Sequence, residues 1–355
     1  MSRADRVAAR LSERGADLLL VTDMVNVRYL TGFTGSSAMA VVGAETRRFI
    51  TDFRYVDRAR AEVIEFDRER APQEFADALK SGWPQGRVRL GFEDQHMSVR
   101  QHKRLRELLP DRIELVPAGG AIESERALKE PGEIEAIRAA AALADDIYDW
   151  VRERGVVGRT EREVARSLEE EMRRRGASDP SFPSIVASAE HGALPHAEPR
   201  EAEIPAGVLV TLDLGARLDG YCSDCTRTWA TGALDDDLAE IYDLVLRAQQ
   251  AALDAVRPGP TGREIDAVAR DLITAEGHGD HFGHGLGHGV GLEVHEAPRL
   301  ARSGNDALEP GNVVTVEPGV YVPGRGGVRI EDLVVVTPNG RDVLSGTVKA
   351  LTTVG

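Results

Sequence analysis

A stretch of this chain is written twice. Thr160-Glu161-Arg162-Glu163-Val164 returns as Thr261-Gly262-Arg263-Glu264-Ile265. Each is a capping box, in which the threonine hydroxyl accepts from the N–H of the third helical residue and the glutamate reaches back to the N–H of the cap. Both predict helices of similar length, ending at Gly176 and Gly277. Further on, Val210-Thr211-Leu212-Asp213 matches Val314-Thr315-Val316-Glu317, each after a turn containing proline, Pro205-Ala206-Gly207 and Pro310-Gly311. The order helix, helix, strand hairpin thus occurs twice. Such a duplication predicts two halves about a pseudo-two-fold axis, their hairpins side by side as one sheet and their helices on its outer face. An acidic residue ends each matched strand. Packing explains the valines and leucines there, but not carboxylates at Asp213 and Glu317.

The repeat occupies only the second part of the chain, so 355 residues predict two domains of unequal size. Residues 1–122 alternate strand-like runs at Leu18–Val21, Ala38–Val42 and Arg48–Thr51 with helical ones at Ala4–Arg14 and Pro72–Lys80, which predicts an α/β domain. Its histidines, His96 and His102, sit among charged residues and are read as solvated surface. Pro131-Gly132-Glu133 opens an amphipathic helix through Ile134, Ile137, Ala141, Ala144, Ile147 and Val151, which sets the start of the second domain, 123–355. Asp plus Glu number 59 against 44 Lys plus Arg, and a net charge of -15 repels phosphate backbones and anionic membranes. Nucleic acid and membrane are therefore not expected partners. No signal-peptide core or spanning segment is evident. The two cysteines, Cys222 and Cys225, lie on opposite faces of one strand and read as packing residues in a reducing cytoplasm.

The acids can be placed more finely. Leu209–Trp229 reads as a hairpin turning at Asp219-Gly220. A two-residue loop there sets Leu218 against Tyr221 and Asp213 against Thr226, leaving Asp224 diagonal to Asp213 on the same face. Diagonal neighbours lie roughly 7–8 Å apart at the backbone, near enough to meet over cations. The second hairpin carries Glu317 before the turn Pro323–Gly327 and Glu331 after it; a shared face there requires a bulge or an odd loop. Between the hairpins run His278, His281, His284, His288 and His295, interleaved with glycines that would ruin a helix but permit close backbone approach. The run matches neither G-x-G-x-x-G nor H-E-x-x-H. Four carboxylates and one imidazole hold too many oxygens for a structural zinc site and suit a pair of manganese, cobalt or iron ions.

These motifs in order, the Asp213 and Asp224 spacing, the Gly-His run ending in His295-Glu296, Val316-Glu317-Pro318-Gly319 and Arg329-Ile330-Glu331-Asp332, resemble the pita-bread metallopeptidases. The likeness is to the proline-directed branch of aminopeptidase P and prolidase. Asn26, Tyr29, Gly32, Phe33 and Asp52-Phe53-Arg54-Tyr55 are similar to the creatinase-like N-terminal domain of that family. The resemblance implies an α+β fold with a C-terminal pita-bread domain. It makes Asp213, Asp224, His288, Glu317 and Glu331 ligands of two divalent ions, with Asp224 and Glu331 bridging. Manganese is the expected metal, with cobalt, zinc or iron as alternatives. It also sets His196, in Ala193-Leu194-Pro195-His196, with His284, His295, Arg329 and Tyr321 around the substrate. The metals would activate a water, Glu317 would carry its proton to the leaving nitrogen, and His295 and His196 would donate to the oxyanion.

The activity so implied is removal of the residue in front of proline from short peptides, by a cytoplasmic homodimer. Xaa-Pro aminopeptidase action, dipeptides included, is the main reading and strict Xaa-Pro dipeptidase action the alternative. A methionine aminopeptidase is opposed by the large N-terminal domain and Arg329. A creatinase-like amidinohydrolase and a non-catalytic binding module are both opposed by the intact metal set.

Overall fold

The structure, a computed structural model, describes residues 1–72 and 74–355. It divides into Met1–Arg126 and Ala127–Gly355.

In the first unit, helix α1 (Arg3–Arg10) starts at a Ser2–Asp5 capping box and gives way to a tighter turn at Leu11–Arg14, closed by Gly15 at φ +70°. The helix expected over Ala4–Arg14 is therefore α-helical only as far as Arg10. Strands β1 (Leu18–Val21), β2 (Ala38–Gly43), β3 (Arg47–Thr51), β4 (Asp67–Arg70), β5 (Val88–Phe92) and β6 (Ile113–Pro117) form one sheet in the order β4-β3-β2-β1-β5-β6. Hairpin pairing makes β1 antiparallel to β2, and crossovers make it parallel to β5. Leu18, Leu20, Val41, Ile50 and Leu90 form its core. The helix expected over Pro72–Lys80 is a 3-10 turn at Phe75–Lys80, and Gln73 lies outside the described residues. His96 is on the surface, 3.2 Å from Glu123, whereas the His102 ring packs tilted against Phe92, with centroids 5.0 Å apart. The unit ends at Arg126 because the short helix Glu123–Arg126 is tied back to Asn26. Asn26 Nδ2 donates to Glu123 at 2.7 Å, and the Arg126 guanidinium donates to Asn26 Oδ1 at 2.8 Å.

The second unit carries the repeat. A helix over Pro131–Arg154, with proline in its first turn, precedes one over Glu161–Arg174; Asp236–Ala255 precedes Gly262–Ala275. The second helix of each pair has 14 residues and the predicted threonine capping box. Each helix pair packs on its own hairpin: Val164 and Leu168 on Val210, Leu212 and Trp229, and Ile265 and Ala269 on Val314, Val316 and Val334.

The first hairpin comprises β7 (Leu209–Leu214) and β8 (Cys225–Ala230), with shorter strands at its turn. Its register sets Asp213 against Thr226 and Leu218 against Tyr221, as the Asp219-Gly220 turn predicts. The second comprises β9 (Val313–Val316), β10 (Gly319–Val322), β11 (Gly326–Arg329) and β12 (Asp332–Thr337). Val316 pairs with Asp332, Gly319 with Arg329 and Val322 with Gly326, so one offset runs throughout and the loop has three residues, Pro323–Arg325. The odd loop, without a bulge, is what brings Glu317 opposite Glu331.

The hairpins do not merge into the single ladder expected. Their strands belong to separate sheets, bridged by the Glu331 N–H to Thr226 O bond at 3.2 Å. The remaining links use side chains. Thr228 Oγ1 donates to Arg329 O at 2.9 Å, and buried Arg227 donates to Asp332 at 2.9 Å and to the Glu331 carbonyl. A bulky guanidinium and two threonine hydroxyls in the seam leave no room for continuous backbone pairing. Cys222 and Cys225 are free, buried and in different apolar clusters, as packing residues should be.

Several glycines of the histidine run have a packing cause. A Cβ on Gly287 would meet Thr315 O at 2.0 Å, and one on Gly289 would meet Ala297 O at 2.1 Å. Backbone cannot yield as a side-chain tip can, so Gly287→Ala is expected to lower stability by about 1–3 kcal/mol. A urea midpoint equal to that of the wild type would refute this cause.

Candidate metal centre

The four predicted acids and the imidazole converge. Asp213 is the penultimate residue of β7, and Asp224 precedes β8. Glu317 and Glu331 face each other between the two ladders of the second hairpin. His288 lies on the strand Gly287–Gly289, beside β9. Its Nε2 is 3.2 Å from Glu317 and 3.6 Å from Asp224. Ligand atoms of Asp224, His288 and Glu331 all lie within 4.8 Å of one another. Thr315 Oγ1 serves both sides of the pair, accepting from His288 N at 3.1 Å and donating to Glu317 at 3.0 Å. The His288 Nδ1 points at Gly289 O, 3.1 Å away, which turns Nε2 toward the acids.

These charges are poorly compensated by protein alone. Arg329, itself buried, donates to Asp213 Oδ2 at 2.7 Å, and Thr226 donates to Glu331 at 2.7 Å. Asp213 Oδ1 and Glu331 Oε1 are buried without a hydrogen-bond partner among the described residues. Burial and the repulsion of neighbouring acids hold Asp224 and Glu331 well above the ordinary carboxylate range, and burial raises Asp213 despite Arg329. Glu317 goes the other way. Burial pushes it up, but the hydrogen bond and charge of His288 outweigh this and bring it to about 2. Buried anionic oxygens with no donor are costly, and a divalent cation would relieve that cost. The donor set, oxygen-rich with one imidazole, therefore fits such ions.

A cavity of about 520 Å³ opens on these residues. His196, His284, His295 and Arg329 line it. The His295 ring lies 4.3 Å from that of His288. Tyr321 differs from expectation. It is not among the lining residues, because its buried hydroxyl is drawn behind the wall, 2.9 Å from His284 Nε2 and accepting from Arg329 at 2.8 Å. Three contributors were not singled out from sequence. Thr226 was legible as the residue opposite Asp213, and Thr315 as part of the repeated strand. Arg299, on the cavity wall, had no sequence signal.

Fold and centre together define a two-domain protein with a buried carboxylate–imidazole cluster, a candidate cation site, at the seam of a duplicated domain. Residues 135–338 match metallopeptidase family M24, and residues 3–128 match the creatinase/prolidase N-terminal domain. The chain belongs to metallopeptidase family M24, with the pita-bread catalytic domain of that family. It is 34% identical to an Xaa-Pro dipeptidase of Pyrococcus furiosus, over 98% of this chain and 99% of that one. The structure of an Xaa-Pro dipeptidase from Bacillus anthracis matches at a TM-score of 0.95 and 40% identity, covering 99% of each chain. An X-Pro aminopeptidase from Thermotoga maritima matches at 0.88 and 32%, covering 98% of this chain and 100% of that one. Family membership implies divalent metal ions.

Proposed function

We propose that the protein hydrolyses the bond in front of proline in Xaa-Pro dipeptides, with Asp213, Asp224, His288, Glu317 and Glu331 holding two divalent cations. The observation that carries this is the pair of partnerless buried oxygens, Asp213 Oδ1 and Glu331 Oε1, within a four-carboxylate cluster facing one cavity. When bound, such ions supply Lewis acidity and bring the pKa of water toward neutrality. Glu317 takes the proton of the attacking water and delivers it to the proline nitrogen as the C–N bond breaks. His295 and His196 donate to the carbonyl oxygen as it gains charge. Arg329 keeps Asp213 anionic and oriented. The non-catalytic reading has no support in a chain that keeps all these acids within a peptidase family.

The sequence alone favoured aminopeptidase action. The dipeptidase reading draws support from the relatives at 40% and 34% identity, both named Xaa-Pro dipeptidases. Arg299 adds a chemical reason. It is exposed on the cavity wall, and no hydrogen bond or ion pair engages its guanidinium among the described residues. A free proline carboxylate is a natural partner for it. Xaa-Pro should therefore be turned over faster than Xaa-Pro-Yaa, and Arg299→Ala should raise KM for the dipeptide about tenfold or more, the worth of a charged hydrogen bond. Equal kcat/KM for di- and tripeptides would restore the aminopeptidase reading.

His295→Ala should lower kcat about 10²–10³-fold, the usual loss for one oxyanion donor. Bound metal should stay unchanged, whereas His288→Ala should lose metal. Elemental analysis alongside kinetics checks both, and metal loss from the His295 variant would reverse the assignment. We place the protein in the cytoplasm, supported by its two free cysteines. No described helix is long and apolar enough to cross a membrane. Residues 1–122 are proposed to govern substrate access and homodimer formation, for which sedimentation gives the test.

A further inference from the structure

His295 is exposed, and beyond the edge contact with the His288 ring no hydrogen bond holds its imidazole among the described residues. Glu296 pairs with Gly289 across a register shift, so the chain between them, Val290 to His295, leaves the ladder as a loop. Glu296 turns its carboxylate inward beneath that loop. Its Oε1 accepts from Glu293 N at 3.0 Å, and a Cβ on Gly291 would lie only 2.7 Å from its Oε2. The loop is thus wrapped around a carboxylate whose side chain is 5% exposed. Lys129 Nζ donates to Glu296 Oε2 at 3.2 Å, from a side chain only 1% exposed and 167 positions away in sequence. The lysine itself is well seated. Its N–H donates to Gly311 O at 2.9 Å, and Asn312 Nδ2 donates to Ala127 O at 2.9 Å, which fixes the backbone against β9.

We propose that Lys129 is a positioning residue for the reaction: by pairing with Glu296 inside the Gly291–His295 loop, it fixes the orientation in which His295 meets the substrate carbonyl. The proposal rests on the reading of His295 as an oxyanion donor. A buried carboxylate without its cation would draw in water or move outward, and either shift carries the adjacent His295 with it. Misplacement of a catalytic group by about 1 Å can cost 10²-fold in rate.

The test is a double-mutant cycle on the full-length, manganese-loaded protein, with Lys129→Met and His295→Ala made singly and together. In the His295-containing protein, Lys129→Met should lower kcat on an Xaa-Pro dipeptide by about tenfold or more, with metal content unchanged and KM hardly altered. Lys129→Arg should recover most of it. In the His295→Ala background the same change should have almost no effect on kcat. Hydrogen exchange of the 291–295 amides should also be faster in Lys129→Met, a readout that needs no activity. If that variant is insoluble, Glu296→Gln answers instead, since it keeps the acceptor for Glu293 N but removes the charge that holds Lys129. Equal losses in both backgrounds, or unchanged exchange in the loop, would overturn the proposal. A wild type inert toward Xaa-Pro dipeptides would sink the functional reading instead, and the exchange result would still decide the role of Lys129.

Discussion

Stripped of metal by exhaustive chelation, the protein is expected to lose all turnover of an Xaa-Pro dipeptide, and manganese or cobalt should restore it better than magnesium. Two buried oxygens of the acid cluster lack any donor among the described residues, a cost that bound cations would relieve. An imidazole among them favours borderline ions over magnesium, which prefers to keep its waters. The pH dependence follows with a definite sign. Burial and mutual repulsion hold Asp224 and Glu331 protonated well above the ordinary carboxylate range. The metal-free fold then binds more protons than the unfolded chain, so its stability should fall as pH rises from that range. Metal binding must release those protons, so affinity should increase with pH. Thermal melts of stripped and manganese-loaded protein across pH 5 to 8 would measure both trends. Full activity in protein shown metal-free by elemental analysis would remove the cations from the reaction.

Replacing Glu317 with glutamine should cost about 10⁴-fold in kcat, the upper end of what a general acid–base group contributes. Glutamine keeps the shape and can still accept from Thr315 Oγ1, which lies 3.0 Å from Glu317 Oε1. It cannot take a proton from water, and it loses the charge that His288 faces at 3.2 Å. Because that histidine holds Glu317 at about 2, below its ordinary value, the ionised carboxylate stabilises the native state above the carboxylate range. The variant should therefore melt somewhat lower at neutral pH while remaining folded by circular dichroism. Wild-type kcat in a folded Glu317→Gln protein would exclude it as the proton carrier.

Much of the centre could be read from sequence because local rules set it. A two-residue Asp219-Gly220 turn fixes Asp213 against Thr226, and duplication then points to Glu317 as the counterpart of Asp213. At the second hairpin parity asks for a bulge or an odd loop, and the turn Pro323–Arg325 is an odd loop of three residues. What escaped depends on tertiary choices that no turn or period encodes. Tyr321 is recruited behind the wall by Arg329 and His284. Arg299 reaches the cavity through the path of a connecting strand, and Arg227 fills the seam where a continuous ladder was expected. In the first unit, the early end of the α-helix at Arg10 reflects a local preference for a tighter turn before Gly15. A 3.6-residue period has no means of signalling that change.

The seam itself has a further consequence. One backbone hydrogen bond, from Glu331 N–H to Thr226 O, joins the two hairpins at the level of the acids, and Glu331 belongs to one half while Asp213 and Asp224 belong to the other. The centre therefore does not exist in either half alone. Ions bound there would act as rivets across a duplicated shell, and the Glu331 amide would sit at the rivet line. Its exchange rate would gauge how tightly the halves are clasped, slow when the ions are in place and faster when they leave, without any substrate being present.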